Sequence, residues 1–221
     1  MKTQNGHNHQ KSIQLQLAMD TLSLEKAIET LETMEDLIDI AEVGTPMILE
    51  YGNQAVRSLR ERFPELTILA DTKIMDGGYA EAMAAFKAGA NLVTVLGAAD
   101  DATVAGCIKA AQETGQICAV DMICVNDLPR RCAEAEKLGA GLIAVHTGVD
   151  RQASGASPLS DLKIIKASVT GTPVSVAGGI SVRTVGEFRK ENPDIVVVGS
   201  GILNQPDPLA AARAIREVLN A

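Results

Sequence analysis

Leu66-Thr67-Ile68-Leu69-Ala70-Asp71-Thr72-Lys73-Ile74-Met75-Asp76-Gly77-Gly78 is an apolar run that ends in charge. Two carboxylates and one ammonium fall within the six residues from Asp71 to Asp76, and a helix-like segment follows from Tyr79. Charges at the end of a buried strand are costly unless they do chemistry or bind something. Alternate side chains of a strand share a face, so Asp71 and Lys73 are expected to point the same way, with Asp76 in the loop beyond. A surface turn with solvated charges is the plainer reading, and the apolar residues running directly into the charges speak against it.

The pattern repeats on both sides of this stretch. Apolar runs at 13–19, 37–43, 66–70, 91–96, 116–123, 141–145, 173–177 and 195–198 alternate with amphipathic segments at 24–34, 54–63, 79–88, 101–114, 128–138, 159–167, 182–190 and 208–219. Ser23 reads as an N-cap for the first helix and Ser181 as one after the seventh run. Strand alternating with helix predicts a parallel sheet with right-handed crossovers. Eight such units predict an α/β fold, a single (β/α)8 TIM barrel over residues 13–221. A doubly wound open sheet is the alternative, but it would gather its functional residues near one switch point. Here charged or glycine-rich residues recur at the ends of runs one, two, three, five, six, seven and eight, as a barrel that collects its strand ends around one mouth would have them.

Composition narrows the class further. The 221 residues are 46% hydrophobic but only 2% aromatic, which suits tightly packed parallel strands of Ala, Val, Ile and Leu. The net charge of −8, without a basic stripe, argues against a nucleic-acid partner. No apolar run reaches transmembrane length and no signal peptide opens the sequence, so a cytoplasmic protein without a membrane partner is expected. The four cysteines, Cys107, Cys118, Cys124 and Cys132, form no CxxC pair and read as reduced thiols. Residues 1–12 are polar and pattern-free. They read as a disordered or artificially appended leader, whose His7 and His9 are set aside from the fold.

At the expected mouth stand Asp20, Glu42, Asp71 with Lys73, Asp121 and His146. His146, after Ala144-Val145, is the candidate acid–base residue. Glu42 and Asp71 are expected to converge from neighbouring strands. Two such carboxylates share a proton or bind a cation. Their hard oxygens suit Mg2+, with Mn2+ possible and substrate completing the shell, unless each simply pairs with Lys73. The last two runs end in Gly178-Gly179 and Gly199-Ser200-Gly201. Barrels often bind phosphate there, through backbone N–H groups and a short helix. The long Gly/Ser-rich segment 147–157 reads either as a lid that excludes water or as a plain surface loop.

Together these residues resemble the orotidine monophosphate decarboxylase suprafamily, over essentially the whole chain from Ile13. The markers are Leu17-Ala18-Met19-Asp20, Glu42-Val43-Gly44-Thr45, the D-x-K-x-x-D element of Asp71, Lys73 and Asp76, Val120-Asp121-Met122-Ile123, Val145-His146-Thr147-Gly148 and Val176-Ala177-Gly178-Gly179-Ile180. D-x-K-x-x-D is specific to the suprafamily. The other markers point to the branch that either condenses a pentulose phosphate with formaldehyde or decarboxylates 3-keto-L-gulonate 6-phosphate. The resemblance implies a homodimer with shared active sites, Asp71 and Lys73 serving their own barrel and Asp76 the partner's. It implies magnesium near Glu42 and Asp71, and phosphate at Gly178, Gly179, Gly199 and Ser200.

The decarboxylating members usually carry an arginine shortly after the histidine and another in the last phosphate loop. Those places read Thr147-Gly148-Val149 and Gly199-Ser200-Gly201 here, which leaves phosphate to backbone amides, with Arg151 or Arg183 as candidate helpers. The expected reaction is therefore the aldol condensation of D-ribulose 5-phosphate with formaldehyde through a 1,2-enediolate. His146 would be the base and Lys73 and magnesium the stabilisers, with Asp20 and Asp121 orienting substrate hydroxyls and Asp76 orienting Lys73. The alternatives are the decarboxylase and, in another class, a non-catalytic barrel used as a scaffold or assembly subunit. A pentulose-phosphate epimerase is more remote, since such enzymes use several histidine ligands and the barrel offers only His146.

Overall fold

A computed structural model describes residues 12–20, 22–152 and 154–221, so the leader expected at residues 1–12 lies outside the described residues except for Ser12. In chain order the elements are β1 (Gln14–Met19), α1 (Leu24–Met34), β2 (Ile40–Val43), α2 (Thr45–Tyr51), α3 (Asn53–Arg62), β3 (Thr67–Ile74), α4 (Gly78–Ala88), β4 (Leu92–Leu96), α5 (Asp101–Thr114), β5 (Ile117–Asp121), α6 (Leu128–Leu138), β6 (Leu142–His146), α7 (Val149–Gln152), α8 (Leu159–Ser168), β7 (Val174–Ala177), α9 (Val185–Lys190), β8 (Ile195–Val198), α10 (Ser200–Leu203) and α11 (Pro208–Asn220). The eight strands are parallel and close on themselves, with β1 paired to β8. The fold is the expected (β/α)8 TIM barrel. Among the described residues no helix is long and apolar enough to cross a membrane.

Two cores stabilise it. The larger lies between barrel and helices and takes the outward-facing strand residues, such as Leu15, Leu17, Val43, Val93 and Val196, with Leu31, Leu59, Phe63, Leu162 and Ile215 from the helices. The smaller fills the barrel itself with Ala18, Ile40, Leu69, Leu92, Ala119, Leu142, Ile195 and Val197. Both faces of each strand are therefore buried, which is why the runs read as continuous apolar sequence. Charge is tolerated only at the two ends.

Apart from the short helix α7 in the segment expected as a lid or loop, the elements differ from the sequence expectations chiefly in four places. Run two shortens to Ile40–Val43, because Glu35–Leu37 closes a 3-10 turn. The segment 45–51, without a pattern in the sequence, is helix α2. Pro46 at its first turn favours helix entry, while Leu49, 82% exposed, breaks the amphipathic signal. Helix α9 starts at Val185 because Ser181 and Thr184 form their own turn, with the Ser181 N–H donating to Thr184 Oγ1 at 3.0 Å; Thr184, not Ser181, is the N-cap. Ser23 caps α1 as expected, accepting from the Lys26 N–H at 3.2 Å.

The fourth difference matters most for the site. β3 does not stop at Ala70 but runs to Ile74 through a bulge. Ala70 faces Val93 and Ile74 faces Val95, so β3 takes four steps where β4 takes two. Lys73 sits in the bulge with φ of +44°, in the left-handed region that non-glycine residues rarely occupy.

Candidate active site

A cavity of about 750 Å³ opens at the C-terminal ends of the strands. The structure brings Asp20, Glu42, Asp71, Lys73, Asp121 and His146 to its wall, together with Gly178, Gly179, Gly199 and Ser200. Asp76 is the exception among the candidates. It is exposed, its Oδ1 accepts from the Gly77 N–H at 2.7 Å, and it does not line the cavity of its own barrel.

Lys73 Nζ donates to Asp71 Oδ2 in a close ion pair. The two side chains meet as the sequence anticipated, but by another route. A regular strand would place them side by side, whereas here the bulge turns Lys73 back toward Asp71. Asp71 is buried and fully engaged: Thr94 Oγ1 donates to its Oδ1 at 2.7 Å and Thr45 Oγ1 to its Oδ2 at 2.9 Å. Burial works against the Lys73 ammonium, but Asp71, Asp121 and Glu42 more than offset it, and its pKa lies above the ordinary lysine value. The residue is a fixed cation at neutral pH.

Glu42 sits deeper, where the Gln16 Nε2 donates to its Oε2 at 2.5 Å. Burial and the nearby Asp71 carboxylate push its pKa up to about 8. Asp20 is raised for the same two reasons, with Lys73 and His146 pulling the other way. Its carboxylate lies against Gly44, where any Cβ would overlap Asp20 Oδ1. Three carboxylates thus crowd one wall around a single lysine.

Across the cavity His146 Nδ1 and Asp121 Oδ2 are 2.8 Å apart. The other Asp121 oxygen accepts from the Ile123 N–H at 2.9 Å. An Nδ1–H donated to Asp121 leaves Nε2 as the basic nitrogen. Burial lowers the His146 pKa, but the bond to Asp121 and its charge dominate, and the net shift is upward. Asp121, expected to hold a substrate hydroxyl, has both oxygens committed to protein partners in this structure.

The glycines of the last two strands bring no charge to the rim. Gly178 and Gly179 have φ of +129° and +67°, conformations that favour glycine. A Cβ on Gly178 would stand 2.8 Å from the Thr147 carbonyl oxygen, so this glycine also serves packing. Gly199 caps α10. Arg151 lines the cavity whereas Arg183 is exposed and does not. The segment 147–157 carries helix α7, and Gln152 ties it back by donating to the Thr147 carbonyl at 2.7 Å; Ala153 within it lies outside the described residues.

Magnesium fits the donor set. Glu42 and Asp71 supply hard oxygens whose mutual repulsion a cation would relieve, and the buried Gln16 Oε1 beside Glu42 has no hydrogen-bond partner. Among the described residues no group of three or more His, Cys, Asp or Glu side chains is arranged to hold a metal by itself.

Gln16, Thr94 and Ser175 are buried cavity residues to which the sequence pattern drew no attention. Each lies on a strand and faces inward at the strand period, which is the signal that was available, whereas Thr45 opens helix α2. A neutral side chain gives that signal no emphasis.

Fold and cavity define a (β/α)8-barrel enzyme with an ionisable mouth. The chain belongs to the orotidine 5'-phosphate decarboxylase / HUMPS family, whose model matches residues 13–215. It is 44% identical over 207 residues to 3-hexulose-6-phosphate synthase 3 of Staphylococcus saprophyticus, covering 94% of this chain and 99% of that one. The crystal structure of 3-hexulose-6-phosphate synthase from Salmonella typhimurium superposes with a TM-score of 0.92 at 45% identity, covering 94% of this chain and 98% of the other. The 3-keto-L-gulonate-6-phosphate decarboxylase of Vibrio cholerae superposes with a TM-score of 0.83 at 26% identity, covering 94% and 97%. With these relatives the chain is an enzyme, a lyase of the aldolase kind.

Proposed function

We propose that this enzyme condenses D-ribulose 5-phosphate with formaldehyde to give a 3-hexulose 6-phosphate. The observation that carries the reading is one cavity holding the His146–Asp121 pair and the Lys73–Asp71 pair. A base and a fixed cation facing a common space are what proton removal beside a carbonyl requires. The names of relatives at 44–45% identity support formaldehyde as the second substrate.

His146 Nε2 takes a proton from C1 of the ketose, and the C–H electron pair moves toward the C2 carbonyl oxygen. The resulting 1,2-enediolate is stabilised by the Lys73 ammonium. C1 then attacks the formaldehyde carbon, and the new alkoxide oxygen picks up a proton from the imidazolium. Asp121 holds His146 in one tautomer throughout. Asp20 is placed to orient substrate hydroxyls. The backbone at Gly178, Gly179, Gly199 and Ser200 would receive the phosphate, with Arg151 at the rim. Glu42 and Asp71 would hold Mg2+ (or Mn2+), which supplies Lewis-acid stabilisation of developing oxyanions when bound. Asp76, turned away from its own cavity, would act in a partner barrel of a homodimer. A cytoplasmic location completes the reading.

Decarboxylation of 3-keto-L-gulonate 6-phosphate is the second reading, because it passes through the same enediolate. It needs a cation to hold the carboxylate, and the residues after His146 are Thr147, Gly148 and an exposed Val149. Both reactions should be assayed on one preparation, before and after chelation. We expect condensation to have the higher kcat/KM, to be lost on chelation and to return with Mg2+. A faster decarboxylation would replace the assignment, and full activity after rigorous chelation would remove the metal from it.

A further inference from the structure

We propose that Thr94, on the one strand that brings no charged or glycine residue to the cavity wall, is the positioning residue that locks the β3 bulge and thereby fixes Lys73 against Asp71. β4 reads Leu92-Val93-Thr94-Val95-Leu96, and Thr94 is the single polar residue in it. Its side chain is 6% exposed and lines the cavity.

Both side-chain hydrogen bonds of Thr94 run to the bulge. Its Oγ1 accepts from the Lys73 N–H at 2.9 Å and donates to Asp71 Oδ1 at 2.7 Å. Its carbonyl oxygen accepts from Thr72 Oγ1 at 2.9 Å. One residue therefore contacts all three members of Asp71-Thr72-Lys73. This is the place where β3 leaves the ladder with β4, and where the backbone N–H of Lys73 would otherwise lose a partner.

The conformation needs such a lock. A lysine at φ of +44° is held in a sparsely populated region, and that persists only where the surroundings over-determine it. Releasing it would let Lys73 relax toward an ordinary strand geometry and swing Nζ off Asp71. Thr94 touches neither reacting atom in this account; it acts through the two residues that do. Valine keeps its shape and β-branching but removes both Oγ1 bonds. Serine keeps the hydroxyl and discards the methyl group.

The test compares Thr94→Val, Thr94→Ser and Thr94→Cys with the parent enzyme. It rests on the proposed condensation only for its assay, so a crystal structure of each variant is the second readout. Thr94→Val should lose about 10²-fold in kcat, as a displacement of about 1 Å at a reacting group does, with KM for ribulose 5-phosphate within about threefold of the parent. Its structure should show Lys73 out of the left-handed region and Nζ displaced from Asp71. Thr94→Ser should return kcat to within about fivefold. If Thr94→Val does not fold, Thr94→Cys, close to serine in size but a poor hydrogen-bonding partner, decides in the same way. Lys73 unmoved in the variant structure overturns the proposal, as does a serine variant as impaired as the valine one. A parent enzyme inert toward formaldehyde would overturn the proposed function instead, and the crystallographic comparison would still judge Thr94.

Discussion

Glu136 and Glu42 are the same residue at opposite ends of the barrel, and their carboxyls are driven in opposite directions. Glu136, on α6, reaches the segment before β7, where it accepts from the backbone N–H groups of Thr170, Gly171 and Thr172 at 3.0–3.2 Å. Its burial is opposed by those donors, which win and hold its pKa down at about 2. Glu42, inside the mouth, meets burial and the Asp71 carboxylate, and its pKa rises to about 8.

The contrast extends to the neighbours of each. At the bottom Arg60 donates to the carbonyl oxygens of Phe63, Pro64, Leu66 and Gly89, and Arg216 to that of Leu37 and to Asp39 Oδ2. Apart from the Arg216–Asp39 ion pair and the Arg60 bond to Asn91 Oδ1, those charges are spent on main chain. At the mouth the charges gather on the wall of one cavity, Lys73 against Asp71 and His146 against Asp121, with Glu42 and Asp20 beside them. A charge spent on main chain holds the fold, whereas a charge held among its own kind is available to a ligand.

The largest effect that should separate the two ends comes from His146→Ala. We expect about a 10³-fold loss of kcat with the melting temperature within about 2 °C of the parent, measured by steady-state kinetics and calorimetry. A barrel that also lost stability would show the mouth to be structural after all. Arg60→Ala should do the reverse, because it strips several main-chain carbonyl oxygens, most of them part-buried, of a donor. A loss of about 2 kcal/mol in denaturant titration is expected, with kcat within about twofold.

Smaller effects sharpen the same contrast. The base must be neutral to work, so the acid limb of the kcat/KM profile should follow the elevated His146 pKa. Asp121→Asn removes the negative charge that helps raise it, and the limb should then move to lower pH. A limb that stays in place would assign it to another group.

The two glutamates provide the smallest test, of a few degrees in melting temperature. Glu136 has a depressed folded pKa, so its stabilisation is present above about 4.5 and fades as pH falls toward 2. Glu136→Gln should therefore melt lower at about pH 7 and match the parent at low pH. Glu42 has an elevated one, so its neutral form suits the fold and stability is lost as pH rises from about 4.5 through 8. Metal-free Glu42→Gln should melt higher than the parent at about pH 9 and equal to it at about pH 4. Shifts of the same sign in both variants would erase the distinction between the ends.

The barrel was legible because each strand is buried on both faces and so announces itself as an apolar run, and because the charges stand where those runs stop. Asp20, Glu42, Asp71, Lys73, Asp121 and His146 were found on that signal alone. Partnership was not legible. Period-two alternation says which face a residue shares, and it cannot say that Asp121 turns to His146 or that Gln16 turns to Glu42, since those bonds cross between strands. The bulge was hidden because its residues, Asp71-Thr72-Lys73, carry no glycine to mark an unusual backbone. Helix α2 was hidden by Leu49, an apolar residue on the outside.

The closure of the sheet has a consequence for how the enzyme is made. Gln16, which supports Glu42, lies on a strand whose outer partner is β8, with Gln16 opposite Val197. Arg216, five residues from the C-terminus, also donates to the carbonyl oxygen of Ile13. Translation proceeds at roughly 5–20 residues per second, so the first strand leaves the ribosome on the order of ten seconds before its partner exists. During that interval the β8-facing side of Gln14–Met19 is an open sheet edge, of the kind that pairs with other chains when left exposed. The wall of the cavity is completed last, when β8 closes on β1.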